Sequence, residues 1–174
     1  MQRYFGFLSA AVVCLVFLAG CAKTDDVDVP VPIDPNEGYT FQLPDRAFGE
    51  YMVYRGIPGV QQRTDTLETG GLQINFYLNP DLVVGVNALS LSKTSSNVSA
   101  LEAAGVATAA QKIQDLSGVE FFTGLDTLIV TSNDLVSLDL NANTELVELS
   151  MNFCKVEALD VTGCPNLKKL RFRG

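Results

Sequence analysis

The chain has 174 residues and a formal net charge of −8, with 12 Lys and Arg against 20 Asp and Glu, and it contains neither His nor Trp. That length suits one modest domain with appendages, and the acidic balance argues against a nucleic-acid partner. Without His, a Ser/His/Asp triad, a Cys/His pair and a His-ligated zinc site are excluded by inventory.

Residues 1–20 read as a secretory signal: Arg3 lies in a short n-region, and the apolar run Phe5 to Phe17 is too short for a comfortable membrane span. The ending Leu18-Ala19-Gly20-Cys21 resembles the lipobox of bacterial lipoproteins. That resemblance implies diacylglycerol on the Cys21 thiol, cleavage before it and acylation of the new amino terminus. Each buried methylene adds roughly 0.8 kcal/mol, so several acyl chains hold a protein stably on a membrane. The mature protein is then expected to be anchored rather than spanning, and Cys14 leaves with the signal. An ordinary Cys beside a signal-peptidase site is the competing reading.

Residues 21–38 read as a disordered acidic, Pro-rich tether, with Pro30, Pro32 and Pro35 among four aspartates and a glutamate. Lys23, Asp25 and Asp26, directly after Cys21, resemble the short acidic export tag of lipoproteins of the Bacteroidetes. The resemblance implies the outer face of the outer membrane; a linker kept solvated by its acids is the alternative.

Residues 39–85 are expected to form an α+β amino-terminal cap. Phe48, Tyr51 and Met52 give an apolar face at helical spacing, and Pro44-Asp45 supplies start signals, so a helix is predicted over Asp45 to Tyr54, ended by Gly56 and Pro58. Gly70-Gly71 reads as a turn before a strand from Leu72 to Leu78, with Asn79-Pro80 ending it. Calcium needs several oxygens from alternate loop positions, which Asp65 and Glu68 do not supply, so no metal site is expected.

From Val86 a different spacing begins with Val86-x-x-Leu89-x-Leu91. The Ala-rich stretch Val98 to Ala110, with Asn97 or Ser99 as N-cap, predicts an inserted helix near 98–110. Ile113 to Phe122 then returns the chain to the sheet, with Phe121 and Phe122 packed as core. Beyond it, Leu125, Leu128, Val130, Asn133, Leu135, Leu138, Leu140 and Asn143 recur as Leu146, Leu149, Met151, Cys154, Val156, Leu159, Val161 and Cys164, each 21 positions on. A third copy opens with Leu167, Leu170 and Phe172. The spacing L-x-x-L-x-L-x-x-N/C-x-L at this period is the signature of a leucine-rich repeat. Residues 86–174 are therefore expected to form an α/β solenoid, a short leucine-rich-repeat domain of about four coils with a small parallel sheet. No separate carboxy-terminal cap is expected after the last strand, so either its charged edge suffices or something else covers it. Cys154 and Cys164 fall at inward turn positions; a disulfide is conceivable in an oxidising envelope, and buried free thiols are the preferred reading.

L-P-D-x-x-F-x-x-Y at residues 43–51 and D-L-S-G-V-E-F-F-T-G-L-D-T-L at residues 115–128 add a more specific likeness. Together with the lipobox, tether and repeats they resemble the amino-terminal cap and first repeat of leucine-rich-repeat surface lipoproteins of the Bacteroidetes. Many of those carry an Asp-rich calcium-like loop where this chain has Thr64 to Gly71, and here the likeness fails.

The alternation of a strand leaves a concave face of side chains. A first row is Ala88, Ser90 and Ser92; the candidate binding face proper is Thr127, Ile129 and Thr131, then Glu148, Ser150 and Asn152, then Lys169, Arg171 and Arg173. It is polar and runs from neutral to strongly basic. The expected role is binding an unidentified protein or glycan ligand at the outer surface, with no cofactor, no metal and no catalysis. Asp139 and Asp160, one period apart, are what repetition produces without chemistry. An accessory glycan-binding lipoprotein of a nutrient-uptake system is the alternative, although these rows hold no aromatic platform.

Overall fold

The computed structural model describes residues 34–173. The expected signal segment, the lipobox with Cys21 and the tether before residue 34 lie outside them. Among the described residues no helix is long and apolar enough to cross a membrane.

The chain enters through a turn at Asp34–Glu37 and a short strand, β1 (Phe41–Gln42). Helix α1 follows at Arg46–Tyr54, and Asp45 at its N-cap accepts a hydrogen bond from Phe48 N at 2.9 Å. Its buried residues are Ala47, Phe48, Gly49, Tyr51 and Met52, one face of the helix. Gly56, at φ 64°, ends it: Gly56 N donates to Val53 O and Ile57 N to Met52 O, the paired bonds of a Schellman motif.

Strands β2 (Val60–Thr66) and β3 (Leu72–Leu78) form an antiparallel hairpin, and β1 pairs on the other side of β3, in the order β1-β3-β2. Helix α1 lies against this sheet so closely that a Cβ on Gly49 would collide with Phe76 Cβ. Strand β2 carries no sequence signal. Its residues, Val-Gln-Gln-Arg-Thr-Asp-Thr, include a single apolar side chain, so the alternation that marks a half-buried strand is missing. A one-turn helix α2 (Pro80–Val83), with Asn79 as N-cap, turns the chain toward the second sheet.

That sheet is parallel and four-stranded, in chain order: β4 (Ala88–Ser90), β5 (Thr127–Ile129), β6 (Glu148–Ser150) and β7 (Lys169–Arg171). Leu89, Leu128, Leu149 and Leu170 stand side by side across it. From Leu128 to Leu149 and from Leu149 to Leu170 the step is one repeat period; from Leu89 to Leu128 it is nearly two. The spatial register thus reproduces the sequence period. This is compatible with a leucine-rich-repeat-like fold. The ladder continues past the strands, with Val130 N donating to Ser150 O and Met151 N to Arg171 O.

Between β4 and β5 the helix expected near 98–110 is shorter and earlier: α3 spans Ser95–Ala103. Gly105 at φ 77° stops it, with Gly105 N bonded to Glu102 O and Val106 N to Leu101 O. The next residues are held away from helix by two charged groups. Glu50 accepts from Ala107 N and Thr108 N at 3.1 and 2.8 Å, while Lys93 Nζ donates to Thr108 O and Ala109 O at 3.2 Å. Their backbone groups are thereby taken, and the Ala-rich composition is overridden.

One continuous apolar core runs from Leu43, Phe48 and Phe76 through Leu89, Phe122 and Leu128 to Leu149 and Val156. Phe122 is fully buried, and the half-buried Phe121 meets Phe41 edge to face at a centroid distance of 5.0 Å.

Candidate binding face on the parallel sheet

The inner rows set up the outer ones. Asn133 is fully buried: its Oδ1 accepts from Ile113 N at 3.0 Å, and its Nδ2 donates to Leu91 O and Val130 O at 2.9 and 2.8 Å. Asn143 Nδ2 donates to Val119 O and Phe122 O, both at 3.0 Å, and its Oδ1 has no partner. One repeat later Cys154 directs its thiol at Val130 O at 3.3 Å, and Cys164 at Leu140 O at 3.7 Å. Both cysteines are free thiols, and burial raises both thiol pKa values above the ordinary range. Just before these seats Ser132 and Phe153 adopt left-handed backbone, φ 63° and 59°, again one repeat apart.

On the opposite side of the strands lie the residues expected to form the binding face. Thr127, Ile129 and Thr131 are half-buried in one row; Glu148 and Asn152 are half-buried in the next; Lys169, Arg171 and Arg173 are exposed in the last. Ser150 departs from expectation, being only 6% exposed with its hydroxyl 3.4 Å from Thr131 Oγ1. It is part of the floor rather than a group free to meet a ligand. Ser92, in the first row, is buried as well.

The basic row is less basic than its residues suggest. Lys169 Nζ stands 3.1 Å from Glu148 Oε2, and Arg171 Nη1 pairs with Glu148 Oε1. The hydrogen bonds from Arg171, and then from Lys169, hold the Glu148 carboxyl below its ordinary pKa. Among the described residues Arg173 makes no ion pair, so two of the three cations share the single carboxylate of Glu148 and the third has none. The repeat period itself sets Glu148 beside Lys169, so this pairing is legible in the sequence once neighbouring strands are read together; taken one strand at a time, the row hides it.

A second charge row escapes the sequence reading altogether. Asp134 lies 3.4 Å from Lys112 and 3.0 Å from Lys155, bridging the coil before its own to the coil after. The third omission is Lys93, a buried cation whose pKa desolvation lowers and whose ammonium sits 5.1 Å from the Tyr51 ring centroid. It lies past the end of β4 on the continuing ladder, with Lys93 N donating to Thr131 O at 3.0 Å, and an isolated Lys there gives no sequence signal.

The carboxylates on the turns serve the backbone. Asp139 Oδ1 accepts from Asn141 N at 3.0 Å; Asp160 Oδ1 accepts from Thr162 N and Oγ1 at 2.9 and 2.7 Å. Among the described residues no group of three or more His, Cys, Asp or Glu is placed to hold a metal ion. Aromatic rings beside a cation occur on the hairpin. There Arg63 lies over Tyr77 at 4.4 Å and near Tyr39 at 5.7 Å, while its Nη2 donates to Asn36 O and Tyr39 O. Arg63 thus ties both rings to the turn before β1.

No protein-family model matches this chain, and no curated protein matches its sequence. A solved structure that it resembles is the functional domain of InlJ from Listeria monocytogenes, described as including a cysteine ladder. The two share 30% sequence identity over 54% of this chain, with a TM-score of 0.42. The chain spans 17% of the length of that structure.

Proposed function

We propose that this protein is a non-catalytic binding module of a bacterial envelope, a short leucine-rich-repeat solenoid with an α+β cap, lipid-anchored through Cys21 and presenting the outer rows of its parallel sheet to a protein or other ligand outside the cell. The observation that carries the reading is the register. Strands β5, β6 and β7 align at the sequence period, so Thr127, Ile129 and Thr131, then Glu148 and Asn152, then Lys169, Arg171 and Arg173 stand as adjacent rows on one face. Hydroxyls, an amide, one apolar side chain and a graded charge make a surface that can match a partner by shape and electrostatics. The envelope location rests on the lipobox-like Leu18 to Cys21 and the acidic tether, and the surface location on the acidic tag. The glycan alternative gains nothing from the hairpin tyrosines, which are already engaged with Arg63.

Two experiments test this. In a Bacteroidetes host, radiolabelled palmitate should enter the protein and be lost in Cys21→Ala, and protease added to intact cells should remove an epitope tag placed beyond residue 22 while a periplasmic control survives. A photo-crosslinking amino acid at position 129 should give a discrete adduct on whole cells, whereas the same probe at Val136, exposed on the turn side, should not. Equal labelling at both positions, or none at either, would overturn the binding face.

A further inference from the structure

Between Gly105 and Ile113 the chain forms neither helix nor strand. The two ends of this stretch are set differently. Gly105, at φ 77°, has open space where a Cβ would stand, whereas Ile113 is pinned: its N donates to Asn133 Oδ1 and its O accepts from Asp134 N. Val106 N closes α3 on Leu101 O, and the exposed Lys112 side chain meets Asp134. Ala109 N to Val106 O and Gln111 N to Thr108 O stay within the stretch. Among the described residues, every other hydrogen bond from residues 106–112 to the rest of the protein ends on Glu50 or Lys93.

The two charged groups take opposite sides of one residue. Glu50 accepts from Thr108 N and Lys93 donates to Thr108 O, so peptide backbone stands between a carboxylate and an ammonium. Neither group makes an ion pair among the described residues. Both side chains rise from well-held backbone: Glu50 lies on α1 between the buried Gly49 and Tyr51, and Lys93 N is bonded into the strand ladder. The stretch between them has little to bury, since Ala107, Thr108, Ala109 and Ala110 are all small. A buried ammonium with no contacting carboxylate is costly. Carbonyls offset that cost here, and they belong to the lightly packed stretch itself.

We propose that residues 106–112 form a strap that opens about Gly105 as a unit, and that Glu50 and Lys93 then close on each other as a direct ion pair. Closed, the two charges are satisfied by the amides and carbonyls of the strap. Open, they satisfy each other, and the released peptide groups turn to water. Opening therefore strands no buried charge, the penalty that would otherwise hold such a segment shut. Two arrangements of the same groups, each complete, make a two-state element where α1 meets the parallel sheet. The device goes beyond the binding reading and holds whatever the sheet binds.

The test is native-state hydrogen exchange on the processed full-length protein in detergent, read by mass spectrometry. A peptide covering residues 106–112 should exchange at least about tenfold faster than one covering residues 128–130, through an opening that exposes little surface and so responds weakly to urea. Lys93→Met leaves the carbonyls of Thr108 and Ala109 without their donor. It should speed strap exchange roughly tenfold more and leave residues 128–130 within about twofold. Glu50→Lys combined with Lys93→Glu keeps the direct pair but sets the wrong sign against each backbone group. In that variant the strap should exchange as unprotected chain while residues 128–130 keep their protection. Direct pairing is read with a carbodiimide, which joins a carboxylate to an amine in contact. A Glu50–Lys93 cross-link should appear on peptide mapping beside Asp134–Lys112, whose 3.4 Å contact is the positive control. Strap exchange as slow as that of residues 128–130, or unchanged in Lys93→Met, would overturn the proposal. So would lost protection at residues 128–130 in the charge-exchanged variant, which makes the stretch an integral part of the core, or a control cross-link without the Glu50–Lys93 one.

Discussion

Asn133 and Cys154 occupy the same seat in successive repeats, and each directs a donor at a carbonyl of the preceding repeat: Nδ2 to Leu91 O at 2.9 Å, Sγ to Val130 O at 3.3 Å. The seats are equivalent, but the amide does more in its own. Asn133 also accepts from Ile113 N, which a thiol would serve poorly, whereas the Oδ1 of Asn143 has no partner to lose. Asn133→Cys should therefore cost about 2–4 kcal/mol and Asn143→Cys about 1–2 kcal/mol, since each buried group left unpaired costs roughly 1–3 kcal/mol. Urea-unfolding midpoints of the two variants give the comparison, and equal losses would refute the ranking.

What could be read from the sequence divides along physical lines. The repeat spacing foretold the neighbours of Leu128 and Leu149 because parallel register and repeat period are the same quantity in a stacked repeat. The α1 face foretold Phe48, Tyr51 and Met52 because their burial follows the turn of a helix. Neither route reaches β2, whose pairing with β3 is fixed by a hairpin and whose side chains are almost all polar. Composition misplaced α3, since an Ala-rich run says nothing about Glu50 and Lys93 arriving from distant segments to take its backbone groups.

Glu148 should contribute to stability in a pH-dependent way. Its folded-state pKa is lowered, first by Arg171 and then by Lys169, so the native state binds its proton more weakly than the unfolded chain does. The contribution is fully present above the unfolded value of about 4.3 and is lost as pH falls through the lower, folded-state value. Glu148→Gln should lower the Tm at pH 7 in low salt, and the difference from the parent should shrink toward zero in strong acid. A difference that is constant with pH would show that the ion pair is not its source.

Asp45 joins two parts of the fold with one carboxylate. Oδ1 caps α1, and Oδ2 accepts from Gln114 N at 2.7 Å and Asp115 N at 3.2 Å. Asp45→Ala should cost about 1–3 kcal/mol, combining a lost N-cap with lost charge-assisted bonds at an exposed site. Asp45→Asn keeps an acceptor for the cap and should cost less, about 1 kcal/mol. Thermal unfolding of both variants distinguishes them; an alanine variant no worse than the asparagine variant would deny the bridge.

The thiols of Cys154 and Cys164 should react slowly. Burial raises both pKa values, and Asp160 adds to the effect at Cys164, so at pH 8 less thiolate is present than in the unfolded chain. Iodoacetamide at pH 8, followed by peptide mapping, should label both residues several-fold faster in urea than in the native protein. Native labelling at the unfolded rate would mean the two seats are open.

The uneven offsets between strands also impose an order on folding. Strands β5, β6 and β7 each find their neighbour one repeat away, whereas β4 must find β5 across nearly two, and Asp45 must reach Gln114 from further still. Closing the longer strand-to-strand loop costs about 0.5 kcal/mol more than closing the shorter one, and local contacts form sooner than distant ones. The uniform repeats are thus the natural nucleus, and the helix-and-hairpin part docks onto them late, with the carboxylate of Asp45 as one of its last latches.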